Sequence, residues 1–516
     1  MNKETHDHTP AGEQLLRQSP GSPATVSPCV HQETQTQRSR KRLTVRSSGK
    51  PLALLAAVSL VCLGWFIVRA HGQIAVRNQG YFPYADAPIN YRSGPINDPV
   101  AKLQQQLDEG RKKLKYESKN GYLESVLKLL KVPVDSQTLV FSKTSFQYKK
   151  ISPEHPRALY FNDDVYVGKV HDGKAIEIIS FDPMQGAIFY LLDEHKVSKP
   201  VFQRAELDCT QCHIAAGTRN VPGVLLRSIY PTSTGTQTQA SQSYITDQES
   251  PLKERWGGWY VTGKIPGVPH MANAIVEDTK VSDQPIQGGS TRLVSYSGAF
   301  ERSAYLIPGS DIVAHLVLAH QTQMHNLITL TNYKTRLALY AEAEKSKRSG
   351  QTENAPLSES ARKQYERPAD QLLRYLLFVN EAPLSGSGNE KIEGSSIFAK
   401  EFAARGIRDS KGRSLRDFDL KRRIFRYPCS YLIYSASFDA LPEPAKGYVY
   451  HRLFQVLTGQ DQTGDFSGIT EEDRHSIMDI LLATKPGLPA EWQDFARSNH
   501  IPVHLAGNQL HPGKQG

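Results

Sequence analysis

The pentapeptide Cys209-Thr210-Gln211-Cys212-His213 constrains this chain more than any other stretch. Its Cys-x-x-Cys-His spacing is the attachment signature of a c-type haem. Two intervening residues let both thiols reach the vinyl groups along one porphyrin edge, and the adjacent imidazole then falls under the iron. Cysteine is rare in average composition, so roughly a few chains in a thousand of this length would carry such a pentapeptide by accident. Zinc is the competing reading for a pair of thiols, and it needs two more Cys or His at fitting spacing. The chain has no second Cys-x-x-Cys. The sequence therefore implies one covalent haem c on Cys209 and Cys212, with His213 as the proximal iron ligand.

The ligand opposite His213 decides what such a haem does. Methionine or histidine there closes the iron into an electron carrier, and an open position allows ligand or substrate chemistry. The chain has five methionines. Met271 follows the motif in the loop Pro266-Gly267-Val268-Pro269-His270-Met271 and is the leading candidate. Met324, His270 and His320 are its rivals. Met324 lies one helical turn after His320, so the two share a face. Taken alone, each of these residues is more often core filler or a satisfied core histidine than a ligand. His315, His320 and His325 recur every five residues, which spirals around a helix and makes a poor metal site.

The first fifty residues carry eight Lys or Arg against four acids, +4 of the formal +10. They are polar, rich in Gln, Ser, Thr and Pro, and expected to be disordered. Residues 51–68 then run without a charge. Eighteen residues at helical rise span about 27 Å, close to the hydrocarbon thickness of a bilayer. The sequence thus predicts a transmembrane anchor over 51–70. The preceding Arg38, Arg40, Lys41, Arg42, Arg46 and Lys50 would hold the N-terminus in the cytoplasm and the body in the periplasm. A cleaved signal peptide is the rival reading, with Val68-Arg69-Ala70 as its cleavage site. Neither a Gly-rich phosphate loop nor an aromatic-basic motif accompanies the charge, so nucleic acid is not an expected partner.

Beyond a linker over 71–98, the expected class is α+β. A haem-bearing domain is expected over 99–309, and a mainly helical region over 310–500, either separate from that domain or packed on it, before a tail over 501–516. Apolar residues recur at helical spacing from 98 to 131, with Asp98 as a cap and Asn120-Gly121 as a break. Short β-branched and aromatic runs between turn signals follow from 138 to 206 and predict an antiparallel sheet. A helix is expected to open at Asp208, and strands over 224–230 and 256–263. A long helix is expected over 310–345, then helices over 368–380, 395–405, 444–458 and 470–482. Cys429 reads as a small buried hydrophobe, and no disulfide is expected.

The motif with the apolar run before it resembles membrane-anchored c-type cytochromes of bacteria. The wider body, including Arg157–Gly168, Gly257–Gly263 and Ala319–Asn326, looks like a group of bacterial single-haem proteins with no assigned role. That resemblance implies haem c and a single-pass inner-membrane protein, and it implies no substrate. One-electron transfer with an unidentified redox donor or acceptor is the expected function. An oxidoreductase with an open, peroxidase-like distal site and a haem-based sensor are the alternatives. A body of about 400 residues exceeds what electron carriage needs, which favours the enzyme alternative.

Overall fold

The computed structural model describes residues 84–205, 207–238, 241–265, 267–276, 293–295, 300–350, 356–385 and 390–501. The chain divides into two units, Met1–Tyr81 and Phe82–Gly516, and all elements below belong to the second. Helices α1 (Pro99–Asp108) and α2 (Leu123–Leu129) come first. Strands β1 (Thr138–Val140), β2 (Arg157–Phe161), β3 (Val165–Lys169), β4 (Ala175–Asp182), β5 (Gly186–Asp193) and β6 (Phe202–Arg204) follow. The motif lies on the short helix α3 (Leu207–His213). A hairpin of β7 (Arg227–Ile229) and β8 (Ser243–Ile245) and the two-residue β9 (Trp259–Tyr260) lead to the 38-residue helix α4 (Ile312–Ser349). The C-terminal part holds α5 (Glu359–Leu376), α6 (Phe398–Ala404), α7 (Ala436–Asp439), α8 (Glu443–Leu457), α9 (Glu471–Thr484) and α10 (Ala490–Ser498).

Seven strands form one antiparallel sheet in the order β6-β5-β4-β3-β2-β1-β9. Side chains alternate between its faces. Ala158, Tyr160, Val165, Val167, Ile176, Ile178, Ile188 and Tyr190 point one way. They form one core with Val100 and Leu103 of α1 and Leu123, Val126 and Leu127 of α2. Phe161, Tyr166, Phe181, Ala187 and Phe189 point the other way, into a larger core with α4 and the C-terminal helices. Both faces are covered, so the strands read as continuous apolar runs rather than clean alternations. The region over 310–500 is thus continuous in its core with the sheet. Residues 84–98, expected as part of a linker, also pack on it: Tyr91 is fully buried and donates to the Ala187 carbonyl at 2.6 Å.

Caps behave as local chemistry dictates. Asp98 accepts from the amides of Val100 and Ala101 at 2.9 and 3.3 Å. Asp311 does the same for Val313 and Ala314 at 2.7 and 3.3 Å. Thr470 accepts from the Asp473 amide at 3.1 Å. The predicted helix over 368–380 begins earlier, at Glu359, with Ser358 as its cap. Pro368 therefore sits inside α5 instead of opening it. The predicted strand over 224–230 is shorter, and β8 follows where no strand was expected.

The expectation of an N-terminal transmembrane helix heading the fold is corrected. No helix among the described residues is long and apolar enough to cross a membrane. The long α4 carries Gln321, Gln323, Asn326 and Asn332, which the protein interior accepts through hydrogen bonds and a bilayer would not. The predicted span over 51–70 lies outside the described residues, as does the tail over 1–50. The single-pass inner-membrane placement with a periplasmic body is corrected with it.

Asp98 is fully buried and also accepts from the Tyr190 hydroxyl at 2.7 Å. Asp98→Ala removes a cap and strands that hydroxyl. It should cost about 2–4 kcal/mol, read as a lower urea midpoint. Asp98→Ala combined with Tyr190→Phe should recover part of the loss.

Candidate functional site

Helix α3 carries the motif. Cys209 is half-buried against the larger core, Cys212 is exposed, and no disulfide joins them. His213 packs beside Phe189 of β5, with ring centroids 5.1 Å apart. Its Nδ1 lies 2.8 Å from the Gly223 carbonyl oxygen. A carbonyl only accepts, so Nδ1 carries the proton and donates. That leaves Nε2 as the basic nitrogen, with no protein partner among the described residues. Burial holds the His213 pKa below the ordinary histidine range, so the ring is neutral at pH 7. A neutral imidazole with one nitrogen pinned and the other bare is what a metal ligand requires.

The segment after the motif is built to hold that carbonyl. Gly223 donates its own amide to the His213 carbonyl at 3.0 Å. The buried Thr218 hydroxyl lies within hydrogen-bond reach of the carbonyls of His213, Ala215 and Val221 at 3.2, 3.1 and 2.9 Å. Arg219 and Asn220 turn the chain with positive φ of 57° and 58°. On α4, Asn326 clamps Val224 from both sides. Its Oδ1 accepts the Val224 amide at 3.0 Å, and its Nδ2 donates to the Val224 carbonyl at 2.7 Å. A Cβ on residue 223 would sit 2.1 Å from Asn326 Oδ1, so the position admits only glycine. Gln323, one turn earlier, donates to the Gly217 carbonyl at 2.9 Å.

Each candidate for the sixth iron position has its own surroundings. Met271 is fully buried in a small cluster with Tyr230 and Val276, and its sulfur accepts from the Ser228 hydroxyl at 3.7 Å. Met324 is fully buried in the larger core. His320 uses both ring nitrogens: Nδ1 faces Gln248 Oε1 at 2.5 Å and Nε2 faces Ser430 Oγ at 2.7 Å. Gln248 Nε2 donates to the Tyr375 carbonyl at 3.0 Å, which fixes its oxygen toward His320. His270 is half-buried and its Nδ1 accepts from the Ala272 amide at 3.2 Å. The neutral ring there carries its proton on Nε2, opposite to His213. His315 and His325 are likewise tied, to Tyr260 and Asp163 carbonyls at 3.0 and 2.7 Å. Cys429 is fully buried, and burial raises its thiol pKa.

Two charged residues of this region were not legible as site residues. Arg157 of β2 and Glu177 of β4 form an ion pair on the sheet face that carries Phe189, and both act electrostatically on His213. The available signal was their register. Arg157 shares its face with Leu159 and Phe161, and Glu177 with Ile179 and Phe181, so each is a charge placed in an apolar alternation. Leu159 and Ile179 are only partly buried there. No group of three or more His, Cys, Asp or Glu that could hold a metal ion occurs among the described residues, and a haem iron needs no such group. No known family model matches the chain, and no curated protein or solved structure matches it either.

Burial depresses His315 and His320 to about 3 and His325 to about 4. It lifts Asp164 to about 6 and Glu381 to about 7. Among these five groups near pH 5, the unfolded chain holds three histidine protons that the fold does not, and the fold holds two carboxyl protons that the unfolded chain does not. The unfolded state is ahead by one. The contribution of these five groups to stability should therefore fall as pH drops from about 6 to 4.5, by about 1.4 kcal/mol per unit. Urea midpoints across that range check it, and a flat or rising profile contradicts it.

Proposed function

We propose that this chain is a single-haem c-type redox protein that exchanges one electron at a time. The observation that carries the proposal is the state of His213, with Nδ1–H bound to the Gly223 carbonyl and Nε2 bare. The residues present fit the group on three counts. Both thiols and the imidazole lie on one short helix. The imidazole is neutral and oriented by the buried Gly223. Partly buried apolar side chains, Leu159 and Ile179, border the same core as Cys209. When bound, haem supplies an iron that cycles between ferrous and ferric states. Cys212 is exposed, which supports an edge of the group open to a redox partner. The Nδ1–H bond raises the basicity of Nε2, which favours the ferric state and lowers the potential.

A second reading is favoured by the candidates for the sixth position. His320 has both nitrogens engaged and the Met271 sulfur accepts from Ser228. An iron left open opposite His213 would suit an oxidoreductase. Met271→Ala and His320→Gln are then expected to leave the haem spectrum unchanged, and ferrous protein is expected to bind carbon monoxide. A change to a high-spin spectrum on Met271→Ala, with no carbon monoxide binding by the parent, restores the closed carrier. The proposal as a whole predicts a reversible one-electron midpoint in potentiometric titration. Cys209→Ser with Cys212→Ser should abolish haem that survives a denaturing gel. Retention of gel-stable haem by that double variant overturns the proposal.

A further inference from the structure

Arg157 opens β2 on the inner sheet face. Its guanidinium lies flat across β3 at Gly168, where a Cβ would come within 2.4 Å of Nη2 and 2.7 Å of Nε. Gly168 is therefore the groove that lets the side chain cross to β4, where Nη2 pairs with Glu177 Oε2. The other oxygen of that carboxylate accepts from Ser145 Oγ at 2.5 Å and Gln147 Nε2 at 2.8 Å. Glu177 is thus held by three partners, and it fixes Arg157 in turn. The guanidinium has capacity left over: Nε–H is buried and has no acceptor among the described residues. A buried donor without a partner costs free energy, and a guanidinium fork is shaped for a second carboxylate.

We propose that Arg157, laid in the Gly168 groove and braced by Glu177, binds a propionate carboxylate of the haem. The inference rests on the haem reading above. The haem brings two carboxylates to a face where His213 senses the charges of both Arg157 and Glu177. Arg157 is a binding residue for the group's periphery, and Glu177 positions it. Its charge also opposes the ferric state, so it raises the potential that the His213 hydrogen bond lowers.

The test uses the full chain produced with haem-attachment machinery, as wild type, Arg157→Gln, Arg157→Lys and Arg157→Gln with Glu177→Gln. Potentiometric titration and resonance Raman propionate bands are read. Arg157→Gln should lower the ferrous-to-ferric ratio at the wild-type midpoint about tenfold, a shift of about 59 mV. The double variant loses one charge of each sign. It should keep at least about a threefold drop, because the propionate still lacks its partner. Return of the double variant to the wild-type potential with unchanged Raman bands overturns the inference, since Arg157 then serves only to neutralise Glu177. Should Arg157→Gln not fold, Arg157→Lys carries the test: it keeps the charge, loses the fork, and should move the propionate bands, and unchanged bands overturn the inference. A wild-type chain without gel-stable haem fails the underlying reading before any variant is made.

Discussion

The hydrogen bond from His213 Nδ1 to the Gly223 carbonyl is the interaction on which the candidate site depends. It selects one tautomer and leaves Nε2 bare. Nothing within α3 itself supplies it. The carbonyl is presented by a loop that Thr218 ties together from inside and Asn326 clamps from outside. Asn326 belongs to α4, over a hundred residues further along the chain. The orientation of the imidazole is therefore a property of the whole fold.

That dependence accounts for the unusual character of α4. Its first five turns are buried on every side, yet they carry His315, His320, Gln321, Gln323, His325 and Asn326. Buried polar groups are tolerated when each finds a partner, and the net gain of such a network is specificity of arrangement more than stability. These six side chains reach four segments between them: β9, the loop before β9, the β2–β3 turn and the loop after α3. The helix works as a rack that sets register between the sheet and the motif. A small carrier needs no such rack, which is a physical reason for the size of the body.

Local signals in the sequence located the first five strands of the sheet, the long helix and the Asp98 cap. Asp98, Asp311 and Thr470 cap helices because short polar side chains reach the second or third amide, a rule that needs no tertiary information. The expected helix start at 368 was late: Ser358 opens the helix ten residues earlier, and Pro368 lies inside it. The histidine and methionine candidates were beyond sequence reading for a different reason. Whether Met271 meets iron or Ser228 depends on the packing of β7, β9 and their loops, which the sequence does not encode locally. Arg157 and Glu177 carried a faint signal, a charge in an apolar alternation, but both sheet faces are buried and the sequence does not say which one holds the motif. The apolar run over 51–70 showed the opposite hazard. Hydropathy alone suggested a span there; the run lies outside the described residues, among which no helix is long and apolar enough to cross a membrane.

The central claim is that Cys209, Cys212 and His213 together hold one haem. Intact-mass measurement of the purified full chain, with a pyridine haemochrome spectrum on the same sample, tests it most directly. The account predicts a mass increase of one haem that persists after denaturation, and a haemochrome of the kind that two saturated vinyl groups produce. An unmodified polypeptide mass, or haem lost on denaturation, from cells that attach haem to a control cytochrome would contradict it.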